Sequence, residues 1–344
     1  MPATLTCVSF DHALKFLDEA VELLFGSDPR VQSVGICAYR GGFGFDVVRD
    51  DECAEPLSTG AAEWREIAEV PVVYTDSPGL VEPMLLVPHS GPAVPNSSSI
   101  IPEVQRQRHL VCGAQVQNYD DDVRSGILKK GWMNVGTLGC FVSVAGGGTG
   151  FVSNNHVLAG LNRGQEGADR ILQPGASRHA AEDQVGVLHR FVRLEPSHEQ
   201  ARPANGDAVQ NRVDAALALL DEGAPHVQGF LRSRNLIAPS AVAKPRLGDE
   251  VFKVGRSSGL TYGRIMNVQT TVPVRYDFGK CWFWPTFRID GIDGAQFSDK
   301  GDSGSLIMRK NGEAVGLLFA GKGNSAYACP LDTVLELLEC ELAR

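Results

Sequence analysis

From about residue 110 onward the chain is a succession of short apolar runs separated by Gly, Asn and Asp clusters. Examples are "VGTLGCFVSVAGGGTGFVSNNHVLA", "VGVLHRFVRL", "VDAALALL", "VFKVGRSSGLTYGRIMNVQTTVPV" and "SGSLIMRKNGEAVGLLFAG". Runs this short, each closed by turn residues, read as strands of an antiparallel barrel or sandwich. The glycines of "GGGTG", 146–150, read as a hairpin turn. No helix follows them, so they do not read as a phosphate cradle. Only the tail, "LDTVLELLECEL", has the spacing of a helix.

The front of the chain has a different texture. Residues 11–25 place Leu14, Leu17, Val21 and Leu24 at helical spacing, and the runs "VQSVGICAYR" and "GFGFDVVRD" follow as strands joined at Gly41 and Gly42. A short helix capped by Thr59, "TGAAEWREIA", and a strand, "VPVVYTD", complete a small α+β unit over residues 1–80. Six prolines and the run "NSSS" between 77 and 109 suit a linker or an extended strap. The expected division is therefore a small acidic domain over 1–80, a Pro-rich linker over 81–109 and a main domain over 110–344.

Charge narrows the partners. Residues 1–80 hold five Lys/Arg and fourteen Asp/Glu, an excess that equals the net charge of −9 of the whole chain. Such a chain has no electrostatic reason to bind nucleic acid or anionic lipid, and its front end would suit a basic regulatory protein partner or simply form a solvated acidic face. No run approaches the ~18 apolar residues of a membrane span, and the start lacks the pattern of a secretory signal. The eight cysteines form no C-x-x-C pair and no zinc-ligand spacing, and several lie in apolar runs. They read as reduced thiols of a cytoplasmic protein. No cofactor or metal site is evident.

The stretch "SDKGDSGSLIM", 298–308, places Ser303 on a tight turn before a strand. A serine needs a base to take its proton, an acid to orient that base, and donors for the oxyanion. His156 follows the strand "TGFVSN", in a polar setting that the other histidines lack; a lone histidine is otherwise more often structural. Asp214 heads the apolar run "VDAALALL", where burial requires a hydrogen-bonding partner or else the residue is a strand-start cap. Asp207 is its rival. Gly301 and Gly304 let the backbone fold tightly about Ser303, so the N–H groups of Gly301 and Ser303 can converge as an oxyanion hole.

With "SNNHV", "VDAALALL" and "GDSGS" in that order, residues 110–344 resemble the chymotrypsin/trypsin-like serine peptidases. The segment "GRSSGLTYGRI", 255–265, resembles a turn of bacterial members, and "VLAGLNRGQEGADRILQPG" resembles an intracellular bacterial and plant subgroup with a small α+β domain in front. The resemblance implies a mainly β fold: two six-stranded antiparallel β-barrels with a C-terminal helix. It implies that Ser303 attacks a peptide carbonyl, His156 shuttles the proton and Asp214 holds the imidazole, with Gly301 and Ser303 as the oxyanion hole. Phe297 would lie at the floor of the substrate pocket. The strand "VGLLFAGKG", including Phe319, Ala320 and Gly321, would pair with the backbone of a polypeptide substrate.

Two departures stand out. Val157 replaces the cysteine that secreted relatives carry after the histidine. No Ile-Val-Gly-Gly-like start precedes the first barrel, so Asp302 has no evident cationic partner. The expected function is a serine endopeptidase regulated by its N-terminal domain or a partner. The alternative is a catalytically quiet peptide-binding protein on the same fold.

Overall fold

A computed structural model describes residues 7–50, 64–76, 81–83, 87–88, 102–175, 180–199, 201, 203 and 208–344. The start of the helix expected from Thr59, Cys53, Asp207 and most of the Pro-rich segment lie outside these residues.

The front unit comprises α1 (Phe10–Lys15), α2 (Leu17–Ser27), β1 (Val31–Tyr39), β2 (Gly42–Arg49), β3 (Glu66–Ile67) and β4 (Val70–Asp76). The single expected helix over 11–25 is thus two. Ser9 caps the first through its side chain, and the chain breaks at Phe16 (φ −106°, ψ 8°). The break changes which face is covered. Ala13 packs inward while Leu14 is 40% exposed, and Leu17, Ala20, Val21, Leu24 and Phe25 of α2 are buried. Each of the larger of these side chains contributes about 1.5–3 kcal/mol by leaving water. The end of the stretch "TGAAEWREIA" is strand β3, not helix, because Glu66 and Ile67 pair back on Pro71 and Val70.

Two short strands follow, β5 (Glu82–Pro83) and β6 (Val87–Pro88). The first curled sheet uses β7 (Gln115–Asn118), β9 (Val135–Thr137), β10 (Phe141–Val144), β11 (Thr149–Ser153), β12 (Arg170–Leu172), β13 (Gln184–Phe191) and β15 (Ala216–Leu220). Between them lie α3 (Tyr119–Arg124), β8 (Trp132–Met133), α4 (Asn155–Leu158), α5 (Ala180–Asp183) and β14 (Gln210–Asn211). The second body contains β16 (Ala241–Val242), β17 (Glu250–Gly255), β18 (Gly259–Tyr276), β19 (Gly279–Gly291), β20 (Leu306–Met308), β21 (Glu313–Lys322) and β22 (Ser325–Pro330). The chain ends in α6 (Leu331–Leu337) and β23 (Cys340–Leu342).

The order β19-β22-β21-β20-β17-β18, with β18 also paired to β19, closes a six-stranded ring. Closure pairs the strands of that barrel on both sides along the ring, and the longer β21 runs on beyond its last pairing with β20 at Leu317. The first sheet runs β23-β10-β11-β15-β13-β12-β7-β9. The architecture is therefore mainly β, a closed six-stranded ring and a curled sheet with a C-terminal helix, preceded by an α+β unit; the curled sheet has eight strands and its two end strands are not paired with each other, where a closed six-stranded barrel was expected. The tail differs in one respect from expectation. Its helix stops at Leu337, and Cys340–Leu342 pair with Val142–Val144 of β10. The positive φ of Glu339 (53°) turns the chain from one state to the other.

The front unit shares its sheet with the second barrel. β1 pairs antiparallel with β18 at Val34↔Thr271, Ile36↔Val268 and Cys37↔Asn267. Gly35 sits where an added Cβ would lie 2.5 Å from Thr270 Oγ1, so no larger residue fits this crossing. Phe25 stacks edge-on against Trp282, the Ser33 and Tyr327 hydroxyls bond at 2.9 Å, and buried Asp46 pairs with Arg288 at 3.0 Å.

Candidate active site

His156 comes from the single turn α4, directly after β11. Asp214 lies two residues before β15 begins, and β11 and β15 are neighbours paired at Ser153↔Ala216. The adjacency brings two residues far apart in sequence to the same sheet end. Asp214 Oδ2 lies 2.5 Å from His156 Nδ1, and Asp214 Oδ1 accepts the His156 N–H at 3.2 Å. Both side chains are fully buried. Asn154 donates its amide to the Asp214 carbonyl at 2.6 Å and so ties the two segments together.

Sequence reasoning missed a second donor on the carboxylate. The Tyr276 hydroxyl donates to Asp214 Oδ2 at 2.6 Å. Burial, and then the charge of Asp214, push the tyrosine well above its ordinary range, so it stays a protonated donor. Nothing local marks Tyr276 in the sequence; it ends a long strand at a hairpin tip. Phe278 stacks on its ring (8° between planes). Phe278 also lines a groove of about 490 Å³ with Leu161, Asn162, Arg193, Leu194 and Asp277.

Ser303 sits on the turn entering β20 and is fully buried. Gly304 adopts φ +90°, and a Cβ there would lie 2.1 Å from Ser153 Oγ and 2.3 Å from the Thr137 carbonyl. Only glycine lets the turn come this close to the first barrel. The two barrels meet here: Thr137 N–H donates to the Ser303 carbonyl (2.8 Å), and Thr137 Oγ1 donates to the Gly301 carbonyl (3.0 Å). A Cβ on Gly136 would touch both the Val157 side chain (2.5 Å) and the Ser303 carbonyl (2.8 Å), which places the serine turn against the residue next to His156. The Ser303 hydroxyl, however, donates to the Phe319 carbonyl (3.4 Å). His156 Nε2 is buried and has no hydrogen-bond partner among the described residues. The His–Asp couple is thus formed, and the hydroxyl points elsewhere.

Asp302, next to the serine, does have a cation. Lys253 Nζ lies 3.0 Å from Asp302 Oδ2, with both side chains fully buried. The rest of the cradle comes from the "GRSSG" turn: Ser257 and Ser258 N–H groups reach Oδ1 at 2.8 and 3.2 Å, and Ser258 Oγ reaches Oδ2 at 2.5 Å. The Asp299 N–H adds a bond to Oδ2 at 2.9 Å. Burial raises the Asp302 carboxyl, but Lys253 and these donors outweigh it and hold it below the usual carboxylate range. Burial also lowers the Lys253 ammonium, with Asp302 opposing that effect. The absence of an evident partner at the sequence level is corrected by Lys253. It was hidden because nothing local in "VFKV" marks a lysine whose counter-charge lies 49 residues downstream.

The remaining predicted positions divide. Phe319, Ala320 and Gly321 lie on β21, which passes the serine. Phe297 is fully buried and packs with Val251, Ile265, Phe287 and Ile289 in the second barrel. The Phe297 carbonyl accepts the Thr261 hydroxyl at 2.6 Å. Among the described residues no group of His, Cys, Asp or Glu is arranged to hold a metal ion.

The family described as the Nal1 C-terminal domain matches residues 234–328, a span that includes Lys253, Asp302 and Ser303. No curated protein matches the chain. Several solved structures are similar. Thermobifida fusca Protease A is 16% identical, over 68% of this chain and 98% of that one, with a TM-score of 0.45. Nocardiopsis protease is 18% identical, over 61% and 93%, with a TM-score of 0.43. Cellulomonas bogoriensis chymotrypsin is 16% identical, over 60% and 90%, with a TM-score of 0.41.

Proposed function

We propose that the protein is a serine endopeptidase acting on polypeptides through His156, Asp214 and Ser303. The buried His156–Asp214 couple carries the reading, with Nδ1 and Oδ2 2.5 Å apart and Nε2 without a hydrogen-bond partner among the described residues. A carboxylate on Nδ1 fixes the tautomer in which Nε2 is the base, and it stabilises the imidazolium once Nε2 has taken a proton. Rotation of the Ser303 hydroxyl from the Phe319 carbonyl toward Nε2 would complete the relay. Attack on a carbonyl then gives an acyl-enzyme and releases the amine, which receives the proton from His156; water reverses the sequence. The Gly301 and Ser303 N–H groups serve the oxyanion, since neither donates a bond to another described residue. Regulation through the N-terminal domain or a protein partner completes the proposal.

A fluorophosphonate probe tests it. Ser303 is expected to be labelled in the wild type and not in Ser303→Ala, and His156→Ala is expected to abolish labelling. Asp214→Asn should lower kcat roughly 10⁴-fold, as loss of the orienting acid does in such triads. A folded wild type that never labels would end the reading. One observation favours a second reading, a quiet peptide-binding protein: the bond from the Ser303 hydroxyl to the Phe319 carbonyl. That reading predicts peptide affinity without turnover.

A further inference from the structure

β21 passes the serine as Phe319, Ala320 and Gly321. The Phe319 carbonyl accepts the Ser303 hydroxyl. On one side, Ala320 and Gly321 pair with Tyr327 and Ala326 of β22. On the other, they pair antiparallel with β5 of the same chain, Ala320↔Pro83 and Gly321↔Glu82. An extended peptide that adds to a strand needs a free edge to bond to. Here the chain itself holds that edge.

The direction of β5 matters. Glu82 faces Gly321 and Pro83 faces Ala320, so each step along the strap moves one residue closer to Phe319 and to Ser303. Of the two, only Glu82 carries an N–H to offer the edge, because proline has none. The strap is anchored at its start. Val81 is 5% exposed and belongs to the apolar core that spans both barrels. Pro83 is buried while Glu82 is exposed. The reacting groups are closed off as well, since His156 and Ser303 have no exposed surface.

We propose that residues 81–83 are an autoinhibitory strap that lies in the place of the substrate backbone on β21. The protein then rests closed, and activity follows release of the strap from Ala320 and Gly321. This inference rests on the peptidase reading for its consequence, but the occupied strand edge can be tested without catalysis.

The test compares the full-length wild type with Glu82→Pro, which removes the one N–H, and Val81→Ser, which loosens the anchor without touching the backbone. Fluorophosphonate labelling of Ser303 is expected to be at least ~10-fold faster in both variants, equivalent to about 1.4 kcal/mol of strap closure. Folded variants that label at the wild-type rate would overturn the strap and leave the peptidase reading standing. If no chain labels, the peptidase reading falls, and the strap is then judged by binding. A fluorescein-labelled peptide of residues 79–85, GLVEPML, is offered to Ser303→Ala with and without Glu82→Pro. Binding at least ~10-fold tighter with the second change supports the strap; equal binding rejects it.

Discussion

At Asp214 one carboxylate oxygen serves two donors, His156 Nδ1 and the Tyr276 hydroxyl. Tyr276→Phe keeps the ring packing and deletes one charge-assisted bond. It is expected to cost about 1.5–3 kcal/mol, a fall of roughly 10- to 150-fold in kcat/KM carried by kcat. Steady-state kinetics with a peptide substrate would show it, and a role in packing alone would leave kcat unchanged. Asp122 is the second residue with a measurable signature. Burial drives its carboxyl up to about 7 although Gln117 and the Asn134 N–H bond to it. Asn134 in turn donates to the His156 carbonyl at 2.5 Å. The folded state keeps this proton up to about 7 whereas an ordinary aspartate loses it near 3.8, so the folded state binds the extra proton between those values. Stability should therefore fall as pH rises through that window. Asp122→Asn removes the burial of a charge and should raise the melting temperature at pH 8, by up to ~4 kcal/mol in stability, with little change at pH 4. Thermal melts at the two pH values would check this. His156, Asp214 and Ser303 were legible because each sits where an apolar run meets polar residues. Tyr276, Asp122 and Lys253 were not, since each is recruited by a partner more than ten residues away or by a burial that local alternation does not reveal.

Among the elements, the turn between β17 and β18 does the most for the serine. Its Gly255 lies against Asp302; an added Cβ would sit 2.4 Å from Oδ1 and 2.9 Å from Ser305 Oγ. Gly255→Ala must push the carboxylate off its cradle. The expected loss is about 1–3 kcal/mol of stability from overpacking, read by urea denaturation, together with slower labelling of Ser303. The "GRSSG" stretch was visible in the sequence as a turn, yet its task was not, because the group it holds lies 43 residues or more downstream. The tail shows the opposite failure. Leu331, Val334, Leu335 and Leu338 keep helical spacing, but the next apolar residues, Cys340 and Leu342, fit either period. Pairing with β10 settles them as strand, a tertiary effect that no window on the tail contains.

Across the whole molecule, the hairpin of β1 and β2 extends the sheet of the second barrel, and the contact is polar at its centre. Asn267 donates to Asp46 Oδ2 at 2.7 Å beside the Asp46–Arg288 pair, and Arg288 also lies 3.3 Å from Asp290. Asp46→Ala leaves a buried guanidinium short of its nearest counter-charge and should cost about 3 kcal/mol. Because the sheet is continuous, the front unit and the barrel are expected to melt together. A scanning calorimeter would find one lowered transition; two separated peaks would contradict the shared sheet. An antiparallel barrel or sandwich was readable from the spacing of the runs, and its doubling only from the family resemblance, whereas this junction was not readable, since β1 and β18 are more than 200 residues apart in the chain. The lysine beneath Asp302 carries a consequence of another kind. A positive charge supplied from within the polypeptide is in place as soon as folding ends, with no earlier cut to wait for. The order of the turn that carries Ser303 therefore comes from contacts made within the described fold, and no newly cut amino terminus is needed to pair with Asp302.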